Sequence, residues 1–378
     1  MQRRILFAAV VALGLSLLQP GTANAASWCD RDPRDPVAQM CASTSAHMYG
    51  SFTSFLYPVV GHSTSSAGNA YNATRVFTDD AYSTSYEFGL DVSWGSPTGM
   101  THYQPYWVDY TGGYSYHQIG NGDDAPDDRP HTYMSFPHCD NCRSTDLFYD
   151  FNFAGTTKDG VSPNAHQMVT GWELSASSYG DVTIGRTANR IQWLNGNKVF
   201  ERFPASAITT RAPAGNCAPG SQPAYCFRFD TNVAKDANGF VTAWEVTKPS
   251  VRPAAVTATR TVNQNALQQC MAEDASKCLD TVPGLRDCVQ KRLVCNENAA
   301  ITTRKAALTA SEAREKAVEF LVSRKAISAA QAVSVRETGD AITVAFDQPV
   351  RELTGDHRTH ARAELTFDRA GGLSVRMS

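Results

Sequence analysis

The sequence predicts a mainly β fold: an aromatic-rich β-sandwich, of which a jelly roll is one form, followed by a disulfide-stapled helical hairpin and a small α+β module. Three observations carry this. Between residues 51 and 247 the chain is a succession of short alternating segments and turn signals. No long amphipathic helix is visible before residue 260. The aromatic residues are sorted: residues 26–250 hold 33 of the 37, and residues 251–378 hold only Phe320, Phe346 and Phe367. A single uniform domain would not sort them this way, so at least two units are expected. A hydrophobic content of 42% against 19% charged residues excludes wholesale disorder.

Residues 1–25 have the pattern of an export signal. Arg3 and Arg4 precede the apolar run from Ile5 to Leu18, and Ala23-Asn24-Ala25 forms an Ala-x-Ala cleavage site. The run is too short for a membrane span, and no later stretch approaches a spanning length. A secreted or periplasmic protein is expected. In such a compartment ten cysteines imply a disulfide framework. Economy of loop length pairs Cys29–Cys41, Cys139–Cys142 and Cys217–Cys226. A hairpin of two helices turning at Pro283-Gly284 would pair Cys270–Cys295 and Cys278–Cys288. His138-Cys139-Asp140-Asn141-Cys142 could also hold zinc or act as a redox dithiol. It lacks a second Cys-x-x-Cys and a βαβ setting, so a structural disulfide is preferred.

The sandwich is placed at 26–247, entered through a disulfide-tied segment. In Tyr86–Trp94, Phe88, Leu90, Val92 and Trp94 share one face, and Glu87, Asp91 and Ser93 share the other. Leu147, Tyr149, Phe151 and Phe153 alternate likewise. Asn195-Gly196 predicts a type I′ hairpin turn, and Asp236-Ala237-Asn238-Gly239 predicts a second hairpin. Residues 248–260, with two prolines and no aromatics, form a linker. Residues 261–300 hold the cysteine hairpin, with helices near 262–281 and 285–298. In 301–378, Ser311 caps a helix running to about Lys325. Strands at 332–337, 341–346, 360–367 and 373–377 follow.

Charge narrows the partners. Residues 26–150 carry 15 acids against 5 bases. With no basic stripe, nucleic acid is a poor partner. Tyr103, Tyr106, Trp107, Tyr110, Tyr114 and Tyr116, flanked by His102 and His117, are the candidate ligand-binding residues, because sugar rings stack on such faces. Asp123, Asp124, Asp127 and Asp128 crowd one loop, and calcium is the cation such oxygens would take. A solvated acidic loop explains them as well. No other cofactor is expected.

Enzymatic chemistry has one lead. There is no Gly-x-Ser-x-Gly, no His-Glu-x-x-His, no phosphate loop and no dinucleotide fingerprint. Val169–Leu174 and Val241–Val246 are near copies, each with a Trp and a Glu on opposite strand faces. Glu173 and Glu245 are therefore the candidate acid/base pair, if both face one groove. The same alternation is equally explained by Trp in the core and Glu in solvent. Gly171-Trp172 with Tyr179-Gly180-Asp181 resembles, over about a dozen residues, a motif of neprosin-like glutamic peptidases. Thr170 stands where the resemblance implies a catalytic Glu, so no assignment follows.

The leading expectation is an exported protein that recognises, and in one form cleaves, an extracellular carbohydrate. The alternatives are a secreted peptidase or other hydrolase with a C-terminal inhibitor- or chaperone-like module, and a non-catalytic surface interaction protein.

Overall fold

The computed structural model describes residues 36–62, 67–79, 84–95, 101–127, 129–139, 142–158, 165–176, 179–212, 228–249, 270, 277–282, 285–290, 308–324, 326–327, 334–338, 341–354, 358–368 and 372–378. The signal segment, Cys29, Cys217–Cys226, Cys295 and the side chain of Cys288 lie outside them.

The strands of the first half are β1 (Val37–Met48), β2 (Gly50–Leu56), β3 (Val60–Gly61), β4 (Gly68–Phe77), β5 (Ser85–Trp94), β6 (Thr101–Asp109), β7 (Tyr114–Gln118) and β8 (Pro130–Pro137). Then come β9 (Thr145–Tyr149), β10 (Asn152–Thr156), β11 (Ala165–Ala176), β12 (Thr183–Leu194), β13 (Phe200–Glu201), β14 (Ile208–Arg211), β15 (Asp230–Lys235) and β16 (Val241–Lys248). Three helices follow, α1 (Cys278–Thr281), α2 (Leu285–Gln290) and α3 (Ala310–Ser323). The chain closes with β17 (Ser334–Thr338), β18 (Ala341–Phe346), β19 (Val350–Arg351), β20 (Thr359–His360), β21 (Ala363–Asp368) and β22 (Leu373–Met377).

Two antiparallel sheets pack face to face. The long sheet has the order β14-β1-β11-β4-β5-β6-β7-β22-β21-β18-β17, and the second runs β10-β9-β8-β2-β12-β16-β15. Alternation places Phe88, Leu90, Val92, Trp94, Trp172 and Trp244 between them, all buried. Polar groups also cross this core, and each bonds to a partner on the facing sheet. Trp172 Nε1 donates to Thr187 Oγ1 (2.9 Å), Asn72 Nδ2 donates to Asn189 Oδ1 (2.9 Å), and the hydroxyls of Thr53 and Thr74 lie 2.7 Å apart. A β-sandwich is thus present.

The C-terminal module is not a separate bead. Its strand β22 pairs with β7, Val375 opposite Tyr116 and Met377 opposite Tyr114, so its sheet prolongs the long sheet. Helix α3 lies across the outer face of that sheet. It starts with a reciprocal capping box at Thr309 and Glu312, two residues before the Ser311 cap expected from sequence. Ala313, Ala317, Phe320 and Leu321 share one buried cluster with Val344, Phe346, Tyr71, Tyr106, Tyr114 and Tyr116, and the Phe320 ring meets Tyr116. The outer face of the second sheet is covered too. Leu279, Leu285 and Val289, from the cysteine hairpin, pack on Phe52, Met134 and Phe148.

Several local expectations change. The described parts of the hairpin helices are Cys278–Thr281 and Leu285–Gln290, and the described disulfide there is Cys270–Cys278, with a Cα separation of 5.7 Å. Cys270–Cys295 and Cys278–Cys288 are therefore not formed. Cys139–Cys142 forms as expected. Cys41 is disulfide-bonded. The Asn195-Gly196 turn is not a two-residue type I′. Asn195 Oδ1 accepts from the amides of Asn197 and Val199, and the left-handed residue is Lys198 (φ 62°). The Asn side chain organises a longer loop and moves the strained position two residues on. No described helix is long and apolar enough to cross a membrane.

The module's hold on the sandwich is testable. The Phe320 ring packs on Tyr116 (5.9 Å between centroids) and under the Arg324 guanidinium (4.1 Å). Phe320→Ala is expected to cost about 3–5 kcal/mol in urea unfolding and to raise binding of a hydrophobic dye.

Candidate active site on the outer face of the long sheet

Strand registers lay out the outer face of the long sheet as rows that cross β6, β5, β4, β11 and β1. One row reads Val108, Glu87, Arg75, Val169 and Cys41. The next reads Tyr106, Gly89, Ala73, Gly171 and Gln39, and the third Gln104, Asp91, Tyr71, Glu173 and Val37. Carboxylates therefore flank a row whose centre is Gly89, Ala73 and Gly171. That row is a shallow trough with almost no side chain. Gly171 is at φ 146°, and a Cβ there would stand 2.0 Å from the Ala38 carbonyl oxygen, so glycine is required.

Glu87 is buried and accepts a hydrogen bond from the Tyr106 hydroxyl (2.6 Å). Burial pushes its carboxyl above the usual 4.5, and the negative charge of Glu173 adds to the rise. Arg75, Tyr106 and a hydrogen bond with Thr354 oppose that rise. Arg75 is held by Ser85 and stacks on Tyr110 (4.2 Å). Asp91 has no exposed surface. Its Oδ1 accepts from Asn69 (3.3 Å), and its Oδ2 accepts from Tyr116 (3.3 Å) and from Nε (3.0 Å) and Nη2 (2.7 Å) of Arg324. Burial opposes charge on Arg324, but the Asp91 carboxylate overcomes it and holds the guanidinium charged. The module thus touches two carboxylates of this face, Asp91 through Arg324 and Glu87 through Thr354. Glu173, on β11, is half-buried.

The structure does not bring together the residue sets expected from sequence. Glu173 and Glu245 leave the sandwich on opposite sides, because Trp172 and Trp244 both point into the core. Glu245 pairs with Arg186 and Asn232 on the outer face of the second sheet. The two glutamates cannot share one bond. The tyrosine stretch is likewise split by alternation. Tyr103 and Trp107 face the core between the sheets. Tyr106, Tyr114 and Tyr116 face outward but lie under α3, and Tyr110 meets the Thr354 hydroxyl at 2.8 Å. His102 bonds to Asp124 (3.1 Å) at the rim. His117 stacks on Trp107 (3.9 Å) and bonds to Ser115 and Ser374, and burial lowers its pKa to about 4. These residues are core and module interface, not an open platform.

The acidic loop is also committed elsewhere. Asp123 pairs through its backbone with Tyr103, Asp124 bonds to His102, and Asp127 bonds to Arg129 and His131. Asp128 lies outside the described residues. Among the described residues no group of three His, Cys, Asp or Glu side chains converges as a metal site, so the calcium expectation gains no geometry.

Asp127 belongs instead to a second polar cluster at the end of the core. His131 donates from Nε2 to Asp127 (2.9 Å), and its Nδ1 faces Asp150 (2.8 Å) and the Tyr149 hydroxyl (2.6 Å). Tyr57 stacks on the ring at 3.9 Å. Burial would lower the His131 pKa, but the charge of Asp150 and the bonds to both aspartates raise it to about 9. Each donor has an acceptor, so this cluster is structural.

Alternation along β5 places Glu87 and Asp91 on its polar face but does not indicate their partners. The alternation of β5 was the available signal. Nothing in the sequence marked Arg324.

Two pH effects follow, of opposite origin. Glu87 holds its proton more tightly in the folded chain, so its stabilising share is whole below about pH 4.5 and is lost as pH rises through the raised value. Glu87→Gln is expected to gain on wild type between pH 4 and 7 in urea unfolding. No change in the gap would show that Glu87 is not buried. His131 favours its charged form, so its share is whole below about 6.5 and is lost as pH rises through about 9. His131→Gln is expected to remove that alkaline decline.

No protein-family model matches the chain, and no curated protein matches it. Among solved structures, it is similar to scytalidoglutamic peptidase bound to a peptide-based transition-state analogue. That match has 10% identity and a TM-score of 0.35, covering 58% of this chain and all of that one. It is similar to SCP-B of the eqolisin family of peptidases, in complex with the tripeptide Ala-Ile-His, at 7% identity and TM-score 0.32, with the same coverage. It is also similar to a Bacillus licheniformis β-glucanase at 13% identity and TM-score 0.22, covering 37% of this chain and 66% of that one. Likeness at this level does not bear on what this chain does.

Proposed function

We propose that the chain is an exported hydrolase of polypeptides whose working surface is the outer face of the long sheet, closed by its own C-terminal module. One observation carries the reading: the module covers part of the carboxylate-bearing face and puts Arg324 on Asp91 and Thr354 on Glu87. What occupies the face in cis is polypeptide, and β22 adds to the sheet edge by main-chain pairing. Glu173 is the general base in this reading. It takes a proton from water as the oxygen attacks the scissile carbonyl carbon. Glu87, whose protonated form is favoured by burial, gives its proton to the departing amine. The row Gly89, Ala73 and Gly171 leaves room for the backbone of the substrate.

A second reading keeps the face and changes the ligand. Tyr71, Tyr106, Tyr114 and Tyr116 line it, and with the module gone their rings would offer sugar-stacking surfaces.

The test is hydrolysis of an unfolded protein and of a polysaccharide panel by the purified chain, before and after limited proteolysis frees the C-terminal segment. Peptide hydrolysis that appears on release is expected. Glu173→Gln and Glu87→Gln should each lower it by about 100-fold or more. Glycan hydrolysis with the same dependence selects the second reading. Activity indifferent to both substitutions removes this face from the chemistry.

A further inference from the structure

We propose that the slot holding the Arg324 side chain is a guanidinium-recognition subsite, one that takes an arginine of the polypeptide substrate once the module has left. The inference rests on the module standing in the substrate's place. With the module in place Asp91 is a fully buried carboxylate in the middle of a sheet face, and burial of such a charge is costly unless a cation is seated on it. Its surroundings are built on the sheet, not on the module. Asn69 engages Oδ1 and leaves Oδ2 for the ligand, where the Tyr116 hydroxyl also donates. Tyr71 stands next to Asp91 in its row, and Tyr116 comes from β7. Phe320, stacked on the guanidinium, belongs to the module.

The geometry selects a guanidinium over an ammonium. Nε and Nη2 of one planar group both reach Oδ2, at 3.0 and 2.7 Å. A lysine ammonium is a point donor, more strongly hydrated, and does not present two coplanar N–H groups on one edge. The subsite also has a defined place relative to the chemistry. Asp91, Tyr71 and Glu173 form one row, so Asp91 and Glu173 are two strand spacings apart, about 10 Å. An extended substrate advances about 3.3 Å per residue, which places the recognised arginine within about three residues of the bond cut near Glu173.

Calorimetry on the full chain carrying Arg324→Ala tests this without any hydrolysis. Ethylguanidine is expected to bind at least 10-fold tighter than ethylammonium or N-ethylurea. The double variant Arg324→Ala, Asp91→Asn is expected to lose that preference. Equal binding of the three probes, or an unchanged preference in the double variant, overturns the subsite. If Arg324→Ala does not fold alone, refolding with each probe decides: recovery with ethylguanidine only supports the subsite, and recovery with none overturns it. Mapping of cleavage sites separates the two ideas. Hydrolysis without an arginine preference removes the subsite and leaves the peptidase reading. Selective guanidine binding with no peptide hydrolysis removes the peptidase reading.

Discussion

Asp91 is a carboxylate with no solvent contact in the centre of a sheet, and much of the surrounding architecture follows from the need to neutralise it. A buried ion pair broken on one side costs about 3–5 kcal/mol, because the remaining charge has neither water nor a counter-ion. The cation comes from Arg324, 233 residues away in sequence. To deliver it, the chain must return to the sandwich after β16, lay α3 on the sheet and fix that helix through β22. The ion pair thus joins the two ends of the molecule and fixes where the helix can sit.

Burial of apolar surface supplies the rest. Both outer faces of the sandwich carry large rings, tyrosines on the long sheet and phenylalanines on the second. Left open, each would form an apolar patch of a size that soluble proteins rarely show. The C-terminal segment covers both, its Ala313, Ala317, Phe320 and Leu321 joining the tyrosines in one buried cluster and its Leu279, Leu285 and Val289 packing on the phenylalanines. The uneven spread of aromatics has a physical reason in this arrangement. A cover that packs on large flat rings needs small and branched aliphatic side chains more than rings of its own.

A cover of this kind changes how the face beneath it is understood. Two carboxylates, Glu87 and Asp91, are each touched by a module side chain, and a glycine- and alanine-lined row runs between Glu87 on one side and Asp91 and Glu173 on the other. As a permanent interface the arrangement is expensive, since it buries acids that a purely structural contact would do without. As a closed working surface the same acids have a use, and the module's contacts with them keep that surface shut.

The sequence by itself determined the elements. Period-two alternation gave β5 and the strands of the module nearly residue by residue, and helical periodicity gave α3, because those patterns depend only on backbone geometry. It also showed that Glu87, Asp91 and Glu173 stand opposite apolar faces. Tertiary structure decided which faces meet. Val169–Leu174 and Val241–Val246 are near copies, yet they went to different sheets and sent Glu173 and Glu245 to opposite sides. Alternation tells that a strand has two faces and not what lies against either. For the same reason Tyr103–Tyr116 looked like one platform and is two buried surfaces, and Cys270 paired with Cys278 instead of a distant cysteine. The Arg324–Asp91 contact left no local trace, because it depends on a long-range docking that no spacing along the chain encodes.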